Sequence, residues 1–153
     1  MAFLSSINII GSGLTAQQVR LDVVSENITN LNTTRTENGG AYRRKVTVFQ
    51  AEEGRNNFRT ILAQRMGRLT PNTGYGRTAG VRVTEIREDP SDFKLRYDPS
   101  DPDANEAGYV EMPNVDLVKE IADGMAASQA YSADVTAFNL LKTVISKGLE
   151  IGQ

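Results

Sequence analysis

The stretch SSINIIGSGLTAQQVRLDVVSENITNLN, Ser5 to Asn32, decides the fold. Its apolar positions Ile7, Ile10, Leu14, Leu21, Val24, Ile28 and Leu31 fall on an alternating three-and-four spacing, with Gln17 in the one gap. That spacing predicts a single long helix carrying a heptad stripe. Ser5 or Ser6 is the expected N-cap. Asn30, Asn32, Thr33 and Thr34 are expected to end the helix, because short polar side chains compete for backbone hydrogen bonds. At roughly 1.5 Å per residue the rod is about 40 Å long.

The far end of the chain mirrors this pattern. Pro113 precedes Asn114, a favoured N-cap residue type, and Asp116 brings a carboxylate to the positive end of a helix dipole. The stripe Leu117, Ile121, Met125, Ser128, Tyr131, Val135, Phe138, Leu141, Ile145 and Leu149 then predicts a second, longer rod of about 50 Å. Between the rods, Tyr42–Phe49, Val81–Ile86 and Phe93–Tyr97 read as strands, joined through turn-forming runs such as Asn38-Gly39-Gly40 and Asp98-Pro99-Ser100-Asp101-Pro102-Asp103. Residues 55–70 read equally as a short helix or a strand pair. The expected class is α+β: N- and C-terminal helices pairing as an antiparallel, coiled-coil-like hairpin, with a small β-rich domain inserted between them. The expected divisions are 1–34, 35–112 and 113–153.

Composition removes most catalytic chemistry. The 153 residues include no His and no Cys, which excludes His-assisted nucleophiles, thiol redox centres, disulfides and ordinary zinc sites. No apolar run reaches the eighteen or so residues of a membrane span, and the first basic residue is Arg20, so the charged start of a secretory signal is not seen. Neither direct membrane insertion nor a nucleic-acid partner is expected, since the net charge is −2 and aromatic stacking platforms are sparse.

Several sharper motifs compete with a purely structural reading. Gly11-Ser12-Gly13-Leu14-Thr15-Ala16 matches the GxGxxA form of a dinucleotide-binding turn, and a nucleotide-binding module using the Gly11–Gly13 turn is the alternative function. The repeated βα units that such a module requires do not follow it. Asp98, Asp101, Asp103 and Glu106 gather oxygens, but not in the spacing of a calcium loop. Glu52-Glu53 and Glu88-Asp89 are adjacent, so on a strand they point to opposite faces and form no acid–base pair. No catalytic, cofactor-binding or metal-binding residues are assigned.

Charge is distributed unevenly within the middle of the chain. Residues 55–87 hold seven arginines against the single acid Glu85, whereas residues 88–106 hold seven acids against Lys94 and Arg96. Complementary protein surfaces or internal pairing explain this more simply than nucleic acid does.

A two-helix hairpin buries one seam of each rod and leaves the others open. The first helix also presents Ile9, Gly13, Ala16, Val23, Asn27 and Asn30, and the second Ala122, Ala126, Ala130, Ala133 and Ala137, small residues that permit close helix approach. A helix face built for water would favour Glu and Lys over the amides Asn27, Asn30 and Asn32. The competing reading is a solvated face whose alanines serve helix propensity. The candidate assembly residues are therefore Ile7, Ile10, Leu14, Leu21, Val24, Asn27, Ile28, Asn30, Asn32, Ile121, Met125, Ala130, Tyr131, Ala133, Val135, Phe138 and Ile145.

At these residues the chain resembles the flagellar basal-body rod proteins. The resemblance runs through Asn8-Ile9, Gly13-Leu14-Thr15-Ala16, Ser25 to Thr36 and Gly39 to Arg44 at the N-terminal end. It resumes at Asp101-Pro102-Asp103-Ala104, Gly108-Tyr109-Val110, Met112-Pro113-Asn114-Val115-Asp116, Ala130 to Asp134 and Phe138-Asn139. Gly108, Tyr109 and Val110 followed by Pro113, Asn114 and Val115, in so short a chain, are similar to the proximal rod members of the FlgC type. Thr29, Leu31 and Asp134 depart from the usual pattern, and residues 51–79 look like an insertion relative to shorter members.

The resemblance implies a non-catalytic subunit whose terminal helices pair into the inner layer of a hollow rod crossing the periplasm, with no cofactor. It implies export without a cleaved signal through the flagellar type III apparatus. The implied partners are proximal and distal rod subunits, the adaptor joining the rod to the membrane ring, that ring itself, and further copies of the chain.

Overall fold

The computed structural model describes residues 2–37, 39–53, 65–66 and 78–151. The segment 55–70, read either as a helix or as strands, lies largely outside the described residues. The element order is α1 (Ala2–Thr29), β1 (Lys45–Glu53), β2 (Thr78–Glu88), β3 (Lys94–Tyr97), β4 (Tyr109–Met112) and α2 (Leu117–Ile151). This is the expected α+β arrangement of two terminal helices with a β-rich region between them.

Local chemistry sets the helix ends. Helix α1 starts at Ala2, so neither Ser5 nor Ser6 caps it. It stops at Thr29, three residues before the expected Asn32, by the anticipated mechanism: Asn30 Nδ2 donates to the Glu26 carbonyl at 2.9 Å, and Thr33 Oγ1 donates to Asn30 Oδ1 at 3.1 Å. At α2, Asp116 and not Asn114 is the cap. The Val118 N–H donates to Asp116 Oδ1 at 3.1 Å, while the Asp116 carbonyl accepts from the Glu120 N–H at 3.0 Å. Asn114 instead accepts the Arg44 N–H through Oδ1 at 2.7 Å. Its Nδ2 donates to the Asp89 carbonyl at 3.2 Å.

The strands form two antiparallel pairs. β1 runs against β2 from Lys45 opposite Glu88 to Glu53 opposite Thr78, with register shifts after Val48 and after Glu52. β3 runs against β4, with Lys94 opposite Met112 and Tyr97 opposite Tyr109. β4 coincides with the Gly-Tyr-Val motif and is an additional strand beyond the three expected. Gly108 enters it at φ +79°, a left-handed conformation that glycine adopts without strain. The Tyr97 ring lies against this residue, so a side chain there would also collide with its neighbour.

The helices pair antiparallel through small and polar residues rather than through the large apolar stripe. Gly13 faces Asp134, and Gly124 faces Val24. Arg20 Nη2 meets Asp123 Oδ1 at 3.1 Å, and Asn27 Nδ2 donates to Glu120 Oε2 at 2.9 Å. Ala16, Val23, Val24, Asn27, Glu120 and Ala127 are buried. Thus Gly13, Ala16, Val23 and Asn27, expected on an outward second seam, line the internal one. On α2, Ile121, Met125, Val135 and Phe138 of the candidate assembly set are exposed, together with Leu117 and Leu149 of the same stripe. Small side chains at the crossing bring the helix axes close, and the carboxylates of Glu120 and Asp123 turn inward to meet their partners.

The Gly11–Gly13 turn is helix, and its residues contact protein. Ser12 Oγ accepts the Val81 N–H at 3.0 Å and donates to the Ile9 carbonyl at 2.7 Å. β2 thereby lies along α1, with Gly80 at φ +136° packed directly on the Ser12 side chain.

Arg44 joins all the parts. It lies in the link between α1 and β1. Its Nε donates to Glu120 Oε1 at 2.6 Å, Nη1 reaches Asp89 Oδ2 at 3.4 Å and Nη2 reaches Asp123 Oδ2 at 3.3 Å. Its backbone amide is held by Asn114, so one residue ties the α1–β1, β2–β3 and β4–α2 links together. Burial works against its charge, but the hydrogen bonds and charges of Glu120 and Asp89 outweigh that, and its pKa rises. The Asp89 carboxyl is held below its ordinary value of 3.8, first by the Ser91 backbone N–H and side chain and then by Arg44.

Three outcomes follow for stability. Glu120→Ala removes the buried acceptor shared by Arg44 Nε and Asn27 Nδ2, leaving Arg44 to Asp89 and Asp123 and Asn27 Nδ2 to the Lys45 carbonyl. It is expected to cost about 3 to 5 kcal/mol in urea denaturation, with Glu120→Gln intermediate. Gly80→Ala, which forces a Cβ into Ser12 in a left-handed backbone, is expected to lower stability by about 1 to 3 kcal/mol. Because folding depresses the Asp89 pKa, its contribution is complete above pH 3.8 and is lost as pH falls through the folded value. Asp89→Asn should flatten that acid limb in denaturation curves collected across pH 2 to 5, windows set by the usual carboxylate range of roughly 4.

Candidate functional site

The strongest candidate is the outward face of α2. Leu117, Val118, Ile121 and Met125 are exposed along its first turns, and Val135, Phe138, Leu140, Val144 and Leu149 along the remainder. Ile121 is 48% exposed and Met125 61%. Isolated apolar side chains on a surface are ordinary, but nine on one helix amount to an uncovered packing surface. The helix that carries them is held firmly, because the Arg44–Glu120–Asp123 cluster fixes its first two turns to the rest of the chain.

The candidate residues fall into three groups. Ile121, Met125, Ala133, Val135 and Phe138 are exposed and free to meet another molecule, and Asn32 is exposed just beyond α1. Ile7, Ile10, Leu14, Leu21, Ile28, Asn30, Ala130, Tyr131 and Ile145 are half-buried, shared between the intramolecular seam and solvent. Val24 and Asn27 are buried inside the chain. Asn27 is fully satisfied there. Its Nδ2 donates to Glu120 and to the Lys45 carbonyl, and its Oδ1 accepts the Lys45 N–H at 2.9 Å and the Tyr42 hydroxyl at 3.0 Å. Burial, reinforced by the Glu26 carboxylate, pushes the Tyr42 phenol well above its usual value, so the hydroxyl remains a donor. Asn27 therefore holds α1, α2 and β1 together and offers nothing outward.

The Gly-Tyr-Val and Pro-Asn-Val motifs likewise build the joint. Val110, Pro113 and Val115 are buried, Asn114 bridges links, and Gly108 makes the turn into β4, while Tyr109 is exposed. Glu120, Arg44, Asp123 and Arg20 were outside the candidate set. Their pairing joins residues as far apart as 103 positions, which no local period reveals. Val118, Leu140 and Val144 were also missed, because they fall off the heptad stripe.

Among the described residues, no group of three or more His, Cys, Asp or Glu side chains is placed to hold a metal ion. In the acidic turn, Asp101 pairs with Arg96 at 3.1 Å, and Asp103 receives Thr34 Oγ1 at 3.0 Å. The Asp98 carboxyl is held low chiefly by the Ser100 hydroxyl. No described helix is long and apolar enough to cross a membrane.

Comparison with known proteins agrees with this geometry. Residues 7–35 match the family model described as flagella basal body rod protein, and residues 106–150 match the C-terminal model of the flagellar basal body rod FlgEFG proteins. These two matches cover most of α1 and most of α2, together with the motif before α2. The flagellar basal-body rod protein FlgC of Bacillus subtilis is 46% identical over the whole of both chains. That of Borreliella burgdorferi is 41% identical across all of this chain and 99% of its own, and that of Escherichia coli 37% across the whole of both. With identity at this level from end to end, the chain belongs to the FlgC family of flagellar basal-body rod proteins.

Proposed function

We propose that this chain builds the proximal rod by packing its uncovered helix faces against neighbouring subunits, transmitting motor torque and lining the export channel. As a FlgC-type basal-body rod protein it is a structural subunit, and in this reading it catalyses nothing and carries no cofactor. The observation that supports the reading is the apolar outer face of α2, which the chain itself leaves uncovered. Burying one large aliphatic side chain contributes about 1.5 to 3 kcal/mol, so three or four per neighbour outweigh several surface ion pairs at about 0 to 1 kcal/mol each. Helix packing then supplies the strength, and surface charge supplies orientation.

In the same reading residues 1–34 and 113–153 form the inner rod layer, and 35–112 faces outward with its insertion at about 51–79 on the rod surface. The partners are copies of the chain, other proximal and distal rod subunits, and the adaptor that joins the rod to the membrane ring, together with that ring. The subunit reaches the periplasm-spanning rod through the flagellar type III export apparatus, without cleavage of a signal.

The test separates folding from assembly. Ile121→Glu and Phe138→Glu lie on exposed positions, and their effect on monomer stability is expected to stay within about 0.5 kcal/mol by denaturation. Ala133→Leu tests close approach at an exposed small residue in the same way. Each variant should be absent from, or strongly depleted in, purified basal bodies, with motility lost. Normal incorporation of all three would remove this face from the rod contact.

A further inference from the structure

Tyr97 and Tyr109 stand opposite each other across the β3–β4 pair. The Asp98 N–H donates to the Gly108 carbonyl at 2.9 Å, which makes 98 and 108 a hydrogen-bonded pair. Tyr97 and Tyr109 are then the neighbouring non-hydrogen-bonded pair, in which Cα atoms approach to about 4.5 Å and side chains crowd together. Their rings meet edge to face, with centroids 5.2 Å apart and planes at 65°. Gly108 makes room for this: a Cβ there would stand 3.0 Å from Tyr97 Cε2, so the bare backbone lets that ring lie down beside its partner. Asn105 fixes the other side of the pair. Its Oδ1 accepts the Tyr109 N–H at 2.9 Å, and its own N–H donates to the Tyr109 carbonyl at 2.9 Å. Both residues nonetheless stay open to solvent, Tyr97 at 65% exposure and Tyr109 at 41%.

Two phenol rings held in contact and within reach of a dissolved oxidant are arranged for radical coupling. The other described tyrosines are not. Tyr42 is buried and gives its hydroxyl to Asn27, and Tyr131 is half-buried on α2 with no tyrosine ring against it among the described residues. The chain has no cysteine, so a disulfide is closed to it as a covalent cross-link.

We propose that Tyr97 and Tyr109 form an oxidative cross-linking site: a one-electron oxidant of the class that a haem peroxidase makes from hydrogen peroxide joins them into an intramolecular dityrosine that staples β3 to β4. Each phenol gives up one electron and its O–H proton. The two phenoxyl radicals couple through a new bond between one Cε of each ring, and the hydrogens on those two carbons shift to the phenolic oxygens as both rings regain aromaticity. The chain loses two hydrogen atoms in all. One hydrogen peroxide takes up the two electrons and two protons and leaves as two waters. Neither tyrosine has to find the other by diffusion, because holding two reactants in contact makes their coupling effectively unimolecular. The bond closes the loop from 98 to 108, as a disulfide would. The site does not depend on how copies of the chain pack, so it goes beyond the rod reading and stands apart from it.

Treating the purified chain with hydrogen peroxide and a haem peroxidase tests the site. The expected product runs as a monomer in denaturing electrophoresis, shows the blue fluorescence of dityrosine and weighs two hydrogens less than the parent. Proteolysis should release from it a joined pair of peptides carrying Tyr97 and Tyr109. Tyr97→Phe and Tyr109→Phe keep a ring in place but remove a phenol, and each should abolish that monomeric product, whereas Tyr131→Phe should leave its yield unchanged. Urea should lower the yield several-fold, since the fold brings the two rings together. Dityrosine confined to covalent dimers, a joined pair that maps to any other tyrosine, a product that persists in Tyr97→Phe, or an equal yield in urea would overturn the assignment.

Discussion

The structure depends on one buried charge. Glu120 lies fully out of solvent one turn into α2, and its carboxylate is accommodated only because Arg44 and Asn27 each give it a hydrogen bond. An unpartnered carboxylate there would be costly enough to expel the helix start from the joint. Arg44 is in turn placed by Asn114, and Asn27 by Lys45 and Tyr42, so the links entering and leaving the β region are held around a single ionic centre. Buried ion pairs are poor sources of net stability, but they discriminate sharply between arrangements. In this docking of the hairpin on the strands all of these groups are satisfied at once.

That constraint accounts for the division of surfaces. With Glu120, Asp123, Gly124 and Ala127 occupying the internal seam, the larger aliphatic residues of α2 face away from α1. The polar joint thus sets the geometry within a subunit and leaves the larger aliphatic residues of α2 exposed.

Much of this was legible from the amino-acid order. The two long helices follow from their three-and-four spacing, and their antiparallel pairing from a β region that one helix enters and the other leaves. Of the second seam expected beside the stripes, Gly13, Ala16, Val23 and Asn27 turn inward, whereas Ile9, Ala122, Ala126 and Ala133 are exposed. Apolar periodicity along the stripe from Leu117 to Leu149 reports amphipathicity without saying which partner the apolar side meets. The information was present in Gly13, Ala16, Gly124 and Ala127, whose matched spacing marks a close crossing, and in Glu120 and Asp123, which have no reason to face a seam until Arg44 and Arg20 arrive. Those partners come from distant links and are invisible to local patterns. Asn114 was misjudged for the same reason: it is a favoured cap by type, yet a stronger claim on its side chain comes from Arg44 and Asp89.

The Ser12 hydroxyl has one more consequence. It occupies a backbone donor of β2 that would otherwise be available to a stray strand, and the body of α1 lies along the same side. Ribbons with open rungs tend to zip onto each other when many identical molecules are crowded together. By closing such a rung within the molecule, the helix leaves a stray strand one fewer backbone donor to pair with.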